Sequence, residues 1–295
     1  MNPIVIEPYD HGKVNVGDGN QVYWEACGSP HGKPAVVLHG GPGSGCSPCQ
    51  PDTDLETNNT ANLIADIERV RHHLNIDRWL VFGGSWGSTL ALAYAETHPQ
   101  RVSEMILFGV TTGRHEEFDW AFRGGLARLF PEQWERLRTS VPGAQRDGDI
   151  VEAYHRMLNN PDPLVRRRAA DAWCLWESAT PAWPPTTGMA ERFTDPAYAM
   201  AFARIVTHYV RHNAWLEDGV LLRGAGALAE IPGILVNGRF DFQATIGNAW
   251  ALHGVWPRAE LVIVDDAGHA PNANLSRELI RATTRYSRSG TVRDT

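Results

Sequence analysis

The stretch Leu80-Val81-Phe82-Gly83-Gly84-Ser85-Trp86-Gly87-Ser88-Thr89-Leu90 constrains this chain more than any other. The apolar run Trp79 to Phe82 reads as a buried strand, and Thr89 to Ala95 reads as a helix. The Gly-Gly-Ser-Trp-Gly turn between them is too tight for a bulky side chain at Gly83 or Gly87. It requires a strained backbone at the serine. Such a turn lifts the Ser85 hydroxyl above the sheet edge at a helix start, the context of a nucleophile elbow. Gly-x-Ser-x-Gly letters alone are common in ordinary turns; the flanking strand and helix give them meaning here.

The chain in order extends that pattern. Val14 to Val16 and Gln21 to Ala26 predict a hairpin around Gly17-Asp18-Gly19-Asn20. Ala35 to Leu38 is a fully apolar strand running into His39-Gly40-Gly41-Pro42-Gly43-Ser44-Gly45. That loop lacks the Gly-Lys-Ser/Thr ending of a phosphate cradle, and its form matches the loop supplying an oxyanion-hole N–H in serine hydrolases. Residues 46–60 read as polar loop. Leu63, Ile64, Ile67, Val70 and Leu74 then share one helical face, with Asn59 or Thr60 as cap. Further strands are expected at Met105–Val110, Gly233–Val236 and Leu261–Val264, and a last helix at Ser276–Tyr286. Strands alternating with helices predict a mostly parallel α/β sheet. Residues 111–225 read as an inserted helical cap holding six of the chain's eleven tryptophans, and residues 288–295 as a frayed tail. Residues 1–110 and 226–287 would form the core.

Three residues fall just past strand ends: Ser85, Asp241 and His269. In an open α/β sheet those ends face one crevice. Acyl transfer by serine needs a base for the hydroxyl proton and a carboxylate to orient that base. The order Ser, Asp, His is that of the α/β-hydrolase fold. Asp265 and Asp266 compete for the acid role but stand too close along the chain to His269. The N–H of Trp86, with one from Gly40 or Gly41, would hold the oxyanion; Gly41 is the preferred partner.

Totals exclude other classes. At net charge −7, with 21% charged residues, nothing favours nucleic acid or an anionic membrane. The start Met1-Asn2-Pro3-Ile4-Val5-Ile6-Glu7 lacks a signal-peptide pattern, and no run has the length of a membrane span. Four scattered cysteines predict free thiols and a cytoplasmic location; Cys46-Ser47-Pro48-Cys49 has redox-motif spacing but no redox context.

The chain resembles the proline iminopeptidases among the serine α/β-hydrolases. The resemblance rests on His39-Gly40-Gly41-Pro42-Gly43, Gly83-Gly84-Ser85-Trp86-Gly87-Ser88, Trp173-Cys174-Leu175-Trp176-Glu177, Gly238-Arg239-Phe240-Asp241, Asn248-Ala249-Trp250 and Gly268-His269. It implies a cytoplasmic aminopeptidase that removes N-terminal proline from small peptides without a metal or other cofactor. It also implies that Glu177 binds the substrate's α-amino group, with Gly40 and Trp176 as further substrate contacts.

Two departures stand against that pattern. The family's second cap glutamate, in Arg-Ile-Glu-x-His-Tyr, is replaced by Val206 in Arg204-Ile205-Val206-Thr207-His208-Tyr209. One carboxylate in place of two would weaken ammonium binding by about 1.5–3 kcal/mol. Relatives also carry a helix, a strand and an Asp-Gln-Arg-Gly loop where this chain runs from Ser47-Pro48-Cys49 into Pro51-Asp52-Thr53-Asp54. Roughly thirty residues, one central strand–helix unit, are missing. In the fold's strand order that strand lies inside the sheet, so either its neighbours close the gap or the protein is impaired. An esterase or amidase on the same scaffold is the alternative activity that Val206 motivates.

Overall fold

A computed structural model describes residues 7–17, 19–45, 55–146 and 148–287. The Cys46/Cys49 spacing, most of the expected 46–60 loop and the tail at 288–295 lie outside those residues. Strands β1 (Asp10–Gly17) and β2 (Asn20–Ala26) form the expected hairpin. β3 (Ala35–Leu38), α1 (Thr60–His73), β4 (Trp79–Gly84), α2 (Trp86–Thr97) and β5 (Val102–Phe108) follow. Then come α3 (His115–Phe122), α4 (Pro131–Thr139), α5 (Ile150–Leu158), α6 (Pro163–Ala179), α7 (Pro196–Arg211) and the short α8 (Val220–Gly224). The sheet resumes with β6 (Gly233–Gly238), α9 (Ile246–Val255), β7 (Ala259–Val264) and α10 (Ala273–Ser287).

Local chemistry sets these boundaries. Asn59 is the N-cap of α1, its side chain accepting from the Asn62 N–H at 3.0 Å. Asp162-Pro163 and Asp195-Pro196 start α6 and α7 alike: an aspartate cap, then a proline where its missing N–H costs nothing. Nearly every residue of β4 and β6 is buried, as in a parallel sheet covered on both faces.

Five strands, β3-β4-β5-β6-β7, pair in parallel. One face packs on α2, α9 and part of α1; on the other, Leu80, Ile106, Ile234 and Val236 meet Leu275, Ala282 and Tyr286 of α10. Between β5 and β6 the described residues form helices and turns without a strand.

The gap is not closed. β1 and β2 form a sheet of their own, and among the described residues neither pairs with β3. The hairpin rests instead on side chains: the Trp24 ring lies 5.6 Å from His73 of α1, and Asn20 Nδ2 donates to Thr57 Oγ1 at 3.0 Å. β3 thereby becomes an edge strand, with Val37 69% exposed. The neighbours expected to close the gap do not, yet no unpaired edge is buried in the core, because the sheet divides and β3's outer groups are exposed. The strand carrying Ser85 keeps both neighbours, β3 and β5.

Native-state hydrogen exchange will report this division. Amides of β4 and β5 should exchange only through global opening, and those of β1 and β2 at least about tenfold faster through local opening. Equal protection of hairpin and central strands would contradict the split.

Candidate active site

Ser85 caps α2 with φ 56° and ψ −127°, a conformation that costs a non-glycine residue about 1–3 kcal/mol. It cannot relax. A Cβ at Gly83 would strike the Gly87 carbonyl, and one at Gly87 the Leu38 carbonyl of β3, so strand, turn and helix touch backbone to backbone. The Ser85 N–H donates to Phe108 O at 3.0 Å. Its carbonyl accepts from Ser88 Oγ at 2.6 Å and Thr111 Oγ1 at 2.9 Å. Thr111 thus ties the elbow to the end of β5, which sequence reasoning missed because a lone threonine after a strand carries no motif.

Trp86 opens α2, where the first N–H groups have no intrahelical acceptor. The Gly41 N–H likewise has none among the described residues, and Gly41 takes φ 115°. Gly40 presses on the serine: a Cβ there would lie 3.3 Å from Ser85 Cβ.

Asp241 follows β6 and His269 follows β7. His269 Nδ1 lies 2.8 Å from Asp241 Oδ2, and the other carboxylate oxygen accepts from the Ala244 N–H at 2.7 Å. Both oxygens of the buried Asp241 are therefore held. Asp265 pairs with Arg239 at 2.6 Å, and Asp266 accepts from Asn274 at 2.6 Å, so neither faces His269's ring. Burial pushes the imidazole's pKa down, but the charge and hydrogen bond of Asp241, aided by Glu177, outweigh it. His269 titrates above its ordinary value.

Ser85, His269, Trp86, Gly40, Gly41 and Glu177 line one cavity of about 580 Å³. Phe118, Ala121, Phe122, Phe202 and Val210 make much of its wall apolar. Glu177, on α6, is only 8% exposed, and burial raises its pKa to about 7 while Arg192 and His269 oppose the rise. A second carboxyl in the lining, Glu117, accepts from the Thr112 N–H at 2.8 Å and pairs with Arg114 at 3.0 Å. Arg114 in turn donates to Asn248 Oδ1 at 3.0 Å, which gives the Asn248-Ala249-Trp250 motif a structural place.

The alpha/beta hydrolase fold model matches residues 36–273. A Streptomyces coelicolor protein named probable proline iminopeptidase is 49% identical over 319 residues, covering 97% of this chain and 98% of that one. The proline iminopeptidase of Xylella fastidiosa (strain Temecula1) is 42% identical over 289 residues, covering 90% and 92%. This chain belongs to the proline iminopeptidase family. The crystal structure of the Mycobacterium smegmatis proline iminopeptidase shares the fold at TM-score 0.59 and 16% identity, covering 95% of this chain and 98% of that one.

The Streptomyces alignment also measures the gap. It runs over 319 positions, whereas 97% of 295 residues is about 286, so about thirty positions of the relative have no counterpart here. That number agrees with the roughly thirty residues expected to be missing. Against the family pattern, Val206 is fully buried in α7 and does not line the cavity. Trp176 does not line it either, a correction to its expected contact with substrate. It is 2% exposed, packs edge-on against Trp134 at 5.4 Å, and donates to Ala121 O at 3.2 Å, so it packs among the helices between β5 and β6. Cys27 is an exposed free thiol and Cys174 a buried one. No cluster of three or more metal-ligating side chains occurs among the described residues.

Gly109 is another residue that sequence reasoning passed over. It has φ 51°, and a Cβ there would sit 3.0 Å from His269 Nδ1 and 3.4 Å from Asp241 Oδ2. Gly109→Ala should displace the imidazole and lower kcat by about ten- to a hundredfold. Circular dichroism should show the fold intact. Unchanged turnover in the folded variant would mean that the His269–Asp241 pair tolerates the added methyl.

Proposed function

We propose that this protein is a serine aminopeptidase that releases N-terminal proline from short peptides through an acyl-enzyme. What carries the reading is the meeting of Ser85, His269 and the buried carboxyl of Glu177 in one cavity, in a chain of this family. His269, oriented by Asp241, takes the Ser85 proton as the hydroxyl attacks the acyl carbon. The N–H groups of Gly41 and Trp86 stabilise the oxyanion, and Gly40 lines the path beside the serine. His269 then protonates the leaving amine, and water hydrolyses the acyl-enzyme. Glu177 anchors the substrate's ammonium, and the helical region at 111–225 acts as the cap that shapes the acyl pocket. The central position of β4 argues against an impaired hydrolase, and family membership favours the peptidase over an esterase or amidase.

Hydrolysis of a proline arylamide should be abolished in Ser85→Ala, and a fluorophosphonate should label the parent protein but not that variant. Cleavage of aryl esters without arylamide cleavage would overturn the peptidase assignment. A folded protein that stays unlabelled would overturn the nucleophile.

The acid limb of activity follows from two groups. His269 works as a base only when neutral, and its pKa lies above the ordinary value of about 6.5. Glu177 binds ammonium only when ionised, with a pKa of about 7. Both losses come as pH falls, so kcat/KM should drop below about pH 7 with the steepness of two protonations. Glu177→Gln should reduce the limb to one protonation and raise KM by about ten- to a hundredfold. An unaltered limb in that variant would remove Glu177 from the ammonium site.

A further inference from the structure

The charged groups of the cavity lining are Glu117, Glu177, Arg192 and His269. Two are already matched: Glu117 by Arg114, and His269 by Asp241. Glu177 and Arg192 remain, opposite in sign, with no ion pair joining them to each other or to another side chain among the described residues. Arg192 stands in the short turn Glu191–Phe193 of the cap region. Its guanidinium lies 4.5 Å over the Phe193 ring and 5.8 Å from the centre of Phe202, which itself lines the cavity. Two aromatic faces seat the cation without neutralising it. It stays close enough to Glu177 for its charge to favour the ionised carboxylate.

This arrangement differs from a pocket built for a cation alone. The same cavity is lined by one carboxylate, Glu177, and one guanidinium, Arg192, that no ion pair matches. The complement of that pair is a zwitterion. Two residues of extended chain span at most about 7 Å, so a dipeptide carries its ammonium and carboxylate within the reach of one cavity of about 580 Å³. The planar guanidinium fork suits a carboxylate in particular. Longer peptides carry that carboxylate away from the scissile bond, and arylamides lack it.

We propose that Arg192 is a specificity-determining residue that binds the free C-terminal carboxylate of the leaving amino acid, making dipeptides with N-terminal proline the preferred substrates. The inference rests on the aminopeptidase reading above and names the substrate class of that same site.

The test compares kcat/KM for Pro-Gly, Pro-Gly-amide and proline 4-nitroanilide at about pH 8, above the Glu177 pKa of about 7, with the anilide as the control for any shift of Glu177 in the variant. The parent protein should favour Pro-Gly over its amide by about tenfold or more, mainly through KM. Arg192→Gln should raise KM for Pro-Gly by about tenfold and leave the amide and the anilide within about twofold. Arg192→Lys should restore part of the loss by returning the charge without the fork. Equal use of Pro-Gly and its amide by the parent protein would overturn the proposal. So would an equal loss on all three substrates in Arg192→Gln, which would mark a structural role. Absence of anilide turnover in the parent protein would overturn the aminopeptidase reading itself, and this inference with it.

Discussion

The close crossing of α2 over β3 is the contact on which the site depends. Gly87 passes so near the Leu38 carbonyl that no side chain fits between, and this approach holds Ser85 at φ 56°. The strain is sustained because the serine's N–H and carbonyl are both engaged, by Phe108 and by Ser88 and Thr111. The same approach carries the Gly40–Gly41 backbone beside the serine. Ser85 and the candidate oxyanion donors are thus brought together by one backbone approach.

That contact explains how a chain without counterparts for about thirty positions of its Streptomyces relative keeps Ser85, Asp241 and His269 just past their strand ends. β3 and β4 remain paired from Ala35–Leu80 through Leu38–Gly83, so the crossing is intact. The absent strand would lie on β3's outer side, and its loss sends the β1–β2 hairpin to α1 instead. The opposite flank, β5 through β7, carries Thr111, Asp241 and His269 just past its strand ends and is untouched by the gap. An edge strand of four residues with Val37 exposed is the consequence, and it lies away from Asp241 and His269.

Burial governs the electrostatics inside the cavity. It raises Glu177 towards neutrality and lowers His269, and in each case specific charges answer it: Asp241 beside the histidine, Arg192 and His269 near the glutamate. An apolar wall strengthens such interactions because little water is present to screen them. Trp176, next to Glu177 in sequence, points elsewhere. Successive residues of a helix face different directions, and α6 turns its tryptophan towards Trp134 of α4 while its glutamate meets the cavity.

Much of the fold and of the site was legible in the sequence because it rests on local rules. Strand–turn–helix spacing marked Ser85, strand ends marked Asp241 and His269, and asparagine before an apolar helical face marked the start of α1. A missing stretch of about thirty residues was visible as an absent apolar run. What the chain does about that absence was not visible, since whether β2 closes on β3 depends on packing against α1. Nor were Gly109, Thr111 and Arg192, whose places follow from contacts between segments far apart in the chain. The sequence by itself determined which side chains could do acyl-transfer chemistry and in what order they arrive. Only the tertiary structure decided which of them share a cavity and which charges there stay unpaired, because those are matters of distance and burial that no local spacing encodes.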